Sequence, residues 1–115
     1  MSHQQYQQCI EACQACATEC HHCAMACLHE EQVETLRACI QLDLECAAIC
    51  NAAVQVMSMG GRFSEQLCRV CADICHACAE ECDKHAAMGM EHCRKCADMC
   101  RKCATACEEM AAVGH

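Results

Sequence analysis

Nineteen cysteines occupy this 115-residue chain, and their spacing is that of one face of a helix. The stretch CQACATECHHCAMAC, residues 13–27, holds five of them with gaps that alternate between three and four residues. Leucine or valine normally fills such a face and forms the core of a bundle. A heptad register followed through four segments places every cysteine on the inward a and d positions. They are Cys9, Cys13, Cys16, Cys20, Cys23, Cys27, Cys39, Cys46, Cys50, Cys68, Cys71, Cys75, Cys78, Cys82, Cys93, Cys96, Cys100, Cys103 and Cys107.

Three of the four kinds of chemistry open to a core of thiols fit this pattern poorly. Free cysteine can serve as a small hydrophobic residue, but a core of nothing else would be thin and underpacked. A disulfide scaffold, structural or redox-sensing, would leave one of 19 cysteines unpaired and would mostly close short loops within one helix. Zinc and iron–sulfur sites use CxxC pairs, yet these pairs lie inside continuous helix and the run does not stop at four ligands.

Cuprous copper is the fourth possibility. Cu(I) prefers thiolate and accepts two sulfur ligands, and the cysteines of a CxxxC pair such as Cys9 and Cys13 have Cβ atoms about 5–6 Å apart on a helix. If sulfurs bridge neighbouring ions, the capacity approaches one ion per cysteine, about 19. One monovalent ion per thiolate leaves the core near neutral, whereas each tetrathiolate zinc site would carry two negative charges. The residues therefore favour Cu(I), with a metallothionein-like zinc or mixed-metal buffer as the alternative.

The residues around the cysteines favour helix, since alanine, glutamate and glutamine are abundant and proline is absent. Ser2 and Gln5 form a candidate capping box at the first start, and Gly60, Gly61 and Gly89 mark breaks. The predicted helices span about 3–28, 32–58, 64–84 and 90–112. Short connections between helices of this length predict an all-α fold, an antiparallel up-down-up-down four-helix bundle with a cysteine-lined core. The whole chain, residues 1–115, is expected to form one domain.

Composition argues against several functional classes. A net charge of −8 leaves too few basic residues to neutralise phosphates, so no nucleic-acid partner is expected. The first residues lack a basic and apolar leader, and no run approaches about 18 apolar residues, so neither a signal peptide nor a membrane span is expected. The expected location is therefore the cytoplasm. Catalytic thiols are usually one or two activated groups, whereas 19 alike indicate capacity, so the chain is not expected to be an enzyme.

The alternating CxxC and CxxxC seams over four helices, with CIQLDLEC in the second, resemble the cysteine-rich four-helix-bundle copper storage proteins of bacteria. The resemblance covers essentially the whole chain, which without a leader is most similar to their cytosolic branch. It implies multiple Cu(I) ions in the bundle interior, held mainly through CxxxC pairs, and a homotetramer of bundles. Copper would then arrive from a copper chaperone or a small thiol.

The predicted bundle has two unlike ends. Tyr6, Ala53, Met57, Ser64 and Met110 collect at one end and are expected to plug it. The other end gathers histidines.

His85 continues the third seam directly after Cys82, and His92 lies close by. Both are candidate ligands that would pass copper between carriers in solution and the thiols, as the resemblance also implies; the alternative is that they are solvated loop histidines. Asp43 stands on the second seam where a cysteine is expected. It is either hydrogen-bonded within a polar layer or an oxygen that tunes metal binding by its neighbours.

Overall fold

Four α-helices make up most of the chain. The computed structural model describes the backbone of residues 3–113 and the side chains of residues 6–112. The helices are α1 (His3–Leu28), α2 (Arg37–Ser58), α3 (Ser64–Ala86) and α4 (Glu91–Val113), and a 3₁₀ turn (Val33–Leu36) precedes α2. Residues 3–113 contain no strand, so the all-α prediction is confirmed. The predicted capping box of Ser2 and Gln5 lies outside the side chains that the structure describes.

The observed helix bounds differ from the prediction at two places. The second helix was expected from residue 32, but the chain first makes the 3₁₀ turn, and α2 begins at Arg37. Buried Leu36 lies at this junction and anchors the turn in the core. The third helix was expected to end at residue 84 but continues to Ala86, which places His85 in its last turn.

Two glycines end α2 and α3 in the left-handed conformation. Gly60 has φ of 61°, and the N–H of Gly61 donates to the carbonyl of Val56 at 2.9 Å. Gly89 has φ of 97°, and the N–H of Met90 donates to the carbonyl of His85 at 3.2 Å. Both pairs follow the Schellman pattern, in which a residue without Cβ satisfies the last helical carbonyls. The two predicted glycine breaks are confirmed.

The helices pack as a ring, each against the two that precede and follow it. α1 contacts α2 and α4, and α3 contacts α2 and α4. Short connections reverse the chain between successive helices, which gives the predicted up-down-up-down four-helix bundle, an elongated body of 47 × 20 × 18 Å. The inner seams of the four helices therefore face one narrow central column.

The segment Val33–Ser58 has the length and mean hydropathy, 1.2, of a helix that could cross a membrane. Such a value also occurs in the core helices of soluble bundles. The segment's inner face packs against α1 and α3, and the buried Asp43 lies on that face. The segment is one wall of the bundle.

Candidate metal centre

The cysteines form the core of the bundle. Every one is a free thiol, and none is more than 2 % exposed. The spacing of three and four residues returns each side chain to the same helix face, so 19 sulfurs line the central column. The small side chains of Ala24, Ala47, Ala97 and Ala104 are fully buried beside them, which lets neighbouring helices approach closely.

The sulfur atoms lie close enough to share metal ions. Cys16 Sγ is 4.0 Å from Cys20 Sγ, 3.9 Å from Cys46 Sγ, 3.9 Å from Cys75 Sγ and 3.8 Å from Cys100 Sγ. With a metal–sulfur bond of about 2.3 Å, two sulfurs on one trigonal ion stand about 4.0 Å apart. Little movement is therefore needed to place an ion between them.

Most of the short thiol contacts join different helices. The prediction from the sequence relied on CxxxC pairs within one helix. Of these pairs, Cys16 and Cys20 make a short contact, with their sulfurs 4.0 Å apart. Contacts between helices include two that join α2 to α3, Cys39 to Cys82 and Cys50 to Cys71, each with 3.6 Å between the sulfurs. Cys16 has partners on both of the adjoining helices, Cys46 and Cys100, as well as Cys20 on its own.

Groups of four sulfurs recur along the column. In each group every pair of ligand atoms lies within 4.8 Å. Five of these groups are Cys13–Cys71–Cys103–Cys107, Cys16–Cys46–Cys50–Cys75, Cys16–Cys20–Cys46–Cys100, Cys20–Cys78–Cys96–Cys100 and Cys23–Cys27–Cys39–Cys93. The middle groups share members, so one sulfur is placed to serve two groups. This arrangement suits bridging thiolates in a continuous cluster better than separate four-ligand sites.

The thiols affect one another's ionisation. Hydrogen bonding with Cys107 and Cys13 lowers the pKa of the Cys103 thiol, because neighbouring thiols stabilise a thiolate there. Hydrogen bonding with Cys100 and Cys16, together with burial, raises the pKa of the Cys20 thiol. A thiolate at one position is thus supported by neighbours that keep their protons. Full ionisation of the column requires positive charge to enter it.

Asp43 interrupts the sulfur column between Cys39 and Cys46 of α2. Its Oδ1 accepts hydrogen bonds from the thiols of Cys78 and Cys96, each at 3.2 Å, and of Cys82 at 3.8 Å. Desolvation by burial is the main cause that raises the pKa of this carboxyl to about 9. The hydrogen-bonded polar layer, one of the two interpretations of Asp43 from the sequence, is present.

One end of the column is closed by larger side chains. Met57 is 1 % exposed, and the thiol of Cys68 donates to its Sδ at 3.7 Å. Met110 and Ser64 are buried beside it, and the Ser64 hydroxyl donates to the carbonyl of Gly61 at 2.6 Å. Tyr6 is half-buried against the same cluster. The structure thus brings together the residues predicted to plug this end.

His85 lies at the opposite end, one turn beyond Cys82. Its side chain is 7 % exposed, and Nε2 pairs with Glu81 Oε2 at 2.9 Å. Its Nδ1 is buried and has no hydrogen-bond partner. His85 is therefore not a solvated loop histidine.

His92 stands beside the outermost thiols. Its Nδ1 lies 3.6 Å from Cys23 Sγ and 3.5 Å from Cys93 Sγ. Its Nε2 pairs at 3.0 Å with Oε2 of Glu30, which belongs to the connection after α1. Of the two candidate histidines, His92 is the one whose imidazole contacts thiols directly.

The other four histidines whose side chains the structure describes are exposed. His29 accompanies Glu30 and Met90 in a groove of about 350 Å³ outside the column, while its Nδ1 contacts the carbonyl of Met25 at 2.8 Å. His21, His22 and His76 face outward, as their register predicts.

Sequence reasoning missed Glu30 and Glu81. The spacing of Glu81 and His85, four residues apart on one helix, is a readable signal for their contact. The contact of Glu30 with His92 joins residues 62 positions apart, and no local pattern indicates it.

The fold and the site define a class: a four-helix bundle that carries a column of buried thiols able to hold metal ions. A family model described as Csp, copper storage protein, matches residues 2–112, and the chain belongs to this family.

Solved structures agree with this assignment. The Cu(I)-bound copper storage protein BsCsp3, of Bacillus subtilis, is 45 % identical, with a TM-score of 0.87 over 93 % of this chain and 98 % of that one. A cytosolic copper storage protein from Streptomyces lividans, described at five coppers, is 41 % identical, with a TM-score of 0.91 over 96 % and 94 % of the two chains. These relatives are copper storage proteins and not enzymes.

A curated relative, the uncharacterized cysteine-rich protein YhjQ of Bacillus subtilis, is 46 % identical over 60 residues. The match covers 52 % of this chain and 56 % of that protein, so it spans little more than half of either.

Proposed function

We propose that the chain, acting as one metal-binding domain, stores Cu(I) ions on its core thiolates at a capacity of about one ion per cysteine. The observation that carries this proposal is the continuous column of 19 buried thiols whose four-sulfur groups share members. Bridging thiolates in such a column hold more ions than separate sites would. The Cu(I)-bound state of the similar protein BsCsp3 supports the choice of metal.

Each ion that enters replaces one proton. A thiol gives up its proton as its sulfur binds Cu(I), so charge in the column is unchanged by the exchange. Because the interior is sealed from water, this balance matters more than it would at a surface. Zinc bound by four thiolates would leave a charge of minus two at each site, which the described side chains lining the column do not offset.

A zinc or mixed-metal buffer is the second candidate. The observation in its favour is the size of the four-sulfur groups, since sulfurs about 3.8 Å apart also suit a tetrahedral zinc ion. Shared members such as Cys16, Cys20 and Cys100 limit how many of these groups zinc can fill at once. Zinc is therefore expected to bind at few ions per protein chain.

We assign uptake and release to the end that carries His85 and His92. The opposite end is blocked by Met57 and Met110, whereas this end presents the imidazole of His92 next to Cys23 and Cys93. A copper chaperone or a small thiol would deliver the ion there. From that point it passes between sulfurs less than 4 Å apart, such as Cys23 and Cys93 at 3.9 Å.

An anaerobic Cu(I) titration of the reduced apo protein, against a strong competing chelator, tests this function. Zinc is titrated in parallel. We expect uptake to end near one copper per cysteine, with zinc held at a low ratio or weakly. An end point at about four or five ions with zinc preferred would replace the copper proposal with the zinc buffer. Reaction of nearly all 19 thiols with a thiol reagent beforehand would exclude the disulfide alternative.

Two further features are proposed with the function. The cytoplasm is the proposed location, supported by the cytosolic description of the Streptomyces lividans relative. A homotetramer is the proposed assembly, and the half-buried apolar stripe of Leu42 and Ile49 on α2 is the surface offered for it. Light scattering after size exclusion of the wild type and Ile49→Asp measures the assembly. Identical monomer masses for both would refute it.

A further inference from the structure

At the end proposed for copper entry, called the open end below, His85 and His92 are each held from outside by a carboxylate. Glu81 Oε2 pairs with His85 Nε2 at 2.9 Å, and its other oxygen accepts from Lys84 Nζ at 3.2 Å, which fixes the carboxylate on both sides. Glu30 Oε2 pairs with His92 Nε2 at 3.0 Å. The two pairs come from different parts of the chain, since Glu81 lies on α3 with its histidine whereas Glu30 belongs to the connection after α1.

The carboxylates determine which ring nitrogen carries the proton. A neutral imidazole has one N–H, and a carboxylate can only accept a hydrogen bond. Nε2 therefore carries the hydrogen in both residues, and Nδ1 keeps a free lone pair. A second proton on His85 Nδ1 would be buried without an acceptor, because that atom has no partner. On His92 the thiols of Cys23 and Cys93 lie within 3.6 Å of the bare nitrogen and can donate to it.

We propose that Glu81 and Glu30 are positioning residues for metal entry: they hold His85 and His92 as Nε2–H tautomers, so that each offers an unprotonated Nδ1 to an arriving Cu(I) ion. This inference rests on the proposed uptake of Cu(I) at this end. Protein metal sites commonly fix a ligand histidine through a carboxylate on its second nitrogen, and loss of that partner typically costs 10–100-fold in affinity or activity. No proton has to leave Nδ1 before the ion binds there, unlike at the thiols.

The chain supplies a matched control. His76 Nε2 and Glu108 Oε2 form the same kind of pair at 3.1 Å, but both side chains are about half exposed on the outer surface. Glu108→Leu removes a carboxylate from a histidine just as Glu81→Leu does, without touching the open end. An effect of losing charge or helix stability alone would appear in both variants, whereas an effect on metal entry would appear only in Glu81→Leu.

The first measurement needs no copper. Apo protein labelled with ¹⁵N in its histidines is examined by long-range ¹H–¹⁵N correlation, which distinguishes the tautomers. We expect Nε2–H at His85 and His92 in the wild type, the same at His85 in Glu81→Gln, whose amide oxygen still accepts, and protonation of Nδ1 in part of the Glu81→Leu molecules. Glu30→Gln and Glu30→Leu report on His92 in the same way. A wild-type His85 with its proton on Nδ1 would overturn the proposal.

The second measurement follows Cu(I) transfer from a coloured chelator to each apo protein by stopped flow. Glu81→Leu is expected to slow the first phase about 10–100-fold and to keep the final capacity, whereas Glu81→Gln and Glu108→Leu match the wild type. If Glu81→Leu takes up copper at the normal rate although its tautomer is altered, the proposed role of the carboxylates is refuted, while the storage function stands. No uptake by the wild type would overturn the storage function and this role with it, whatever the tautomers. If Glu81→Leu does not fold, Glu30→Leu gives the same comparison at His92.

Discussion

Replacement of Asp43 by asparagine should change how the stability of the apo bundle depends on pH. The folded carboxyl has a pKa of about 9, raised chiefly by burial, while in an unfolded chain it ionises near 3.9. A group whose pKa is higher in the folded than in the unfolded protein stabilises the folded state fully at pH values below its unfolded pKa. This contribution is lost as the pH rises toward its folded pKa. The wild-type protein therefore becomes less stable between about pH 4 and pH 9 because of this one side chain.

The size of the effect follows from linkage. Between the two pKa values unfolding releases one proton from Asp43, so the free energy of unfolding falls by about 1.4 kcal/mol per pH unit. From pH 5 to pH 7 this amounts to about 2.7 kcal/mol. Asparagine keeps an oxygen for the thiols of Cys78 and Cys96, but its amide has only the distant sulfur of Cys39, 4.0 Å from Oδ2, as an acceptor. That unsatisfied donor costs about 1–3 kcal/mol at every pH, so the slope is the informative quantity.

Guanidinium unfolding of reduced apo protein, followed anaerobically by circular dichroism at several pH values, measures this slope. The difference between wild type and Asp43→Asn is taken at each pH, because contributions that the two proteins share cancel in it. We expect that difference to shift in favour of asparagine by about 2.7 kcal/mol between pH 5 and pH 7. Parallel profiles would show that the carboxyl is ionised in the folded core, and the reasoning from burial would be wrong.

Three smaller changes test other parts of the structure. Cys16→Ser, which alters a sulfur shared by two groups, should lower copper capacity by one or two ions without abolishing uptake, and a complete loss in the Cu(I) titration would contradict a continuous cluster. Gly60→Ala should lower the free energy of unfolding of the apo protein by about 1 kcal/mol, since φ is 61° there; an unchanged thermal midpoint would exclude that strain. Arg101→Ala, which removes an exposed ion pair with Asp83 between α3 and α4, should cost less than about 1 kcal/mol, and a larger loss on chemical unfolding would mean that this surface contact matters more than its exposure indicates.

The helix count and the inward face of each helix could be predicted because both are local properties. Cysteine spacing alone assigns the inner face, and the glycines with positive φ lie where the predicted breaks are. The start of α2 could not be predicted as well, because residues 33–36 form a 3₁₀ turn in which Leu36 is buried. Helix propensity does not indicate this turn. Tertiary packing overrides local preference at such a junction.

The candidate site was predicted as a set of residues but not as a set of contacts. Contacts such as Cys46 with Cys75, at 3.7 Å, depend on the rotation and height of two helices, which a repeat does not specify. The same holds for the pairing of Glu30 with His92, because it depends on where the connection after α1 folds. Register identifies which side chains are inside, whereas neighbours across the column follow only from the assembled bundle.

The contacts between helices have a mechanical consequence for a filled protein. An ion that bridges Cys50 and Cys71, or Cys39 and Cys82, also joins α2 to α3, so each such stored ion is at the same time a cross-link between helices. Separation of the helices then requires metal–sulfur bonds to break, and resistance to unfolding should rise with every ion added. Breathing of the helices would free copper from the centre of a sparsely filled bundle but not of a full one. With release at the end that carries His85 and His92, as proposed, a full bundle would discharge from that end inward, and the ions beside His92 would leave first.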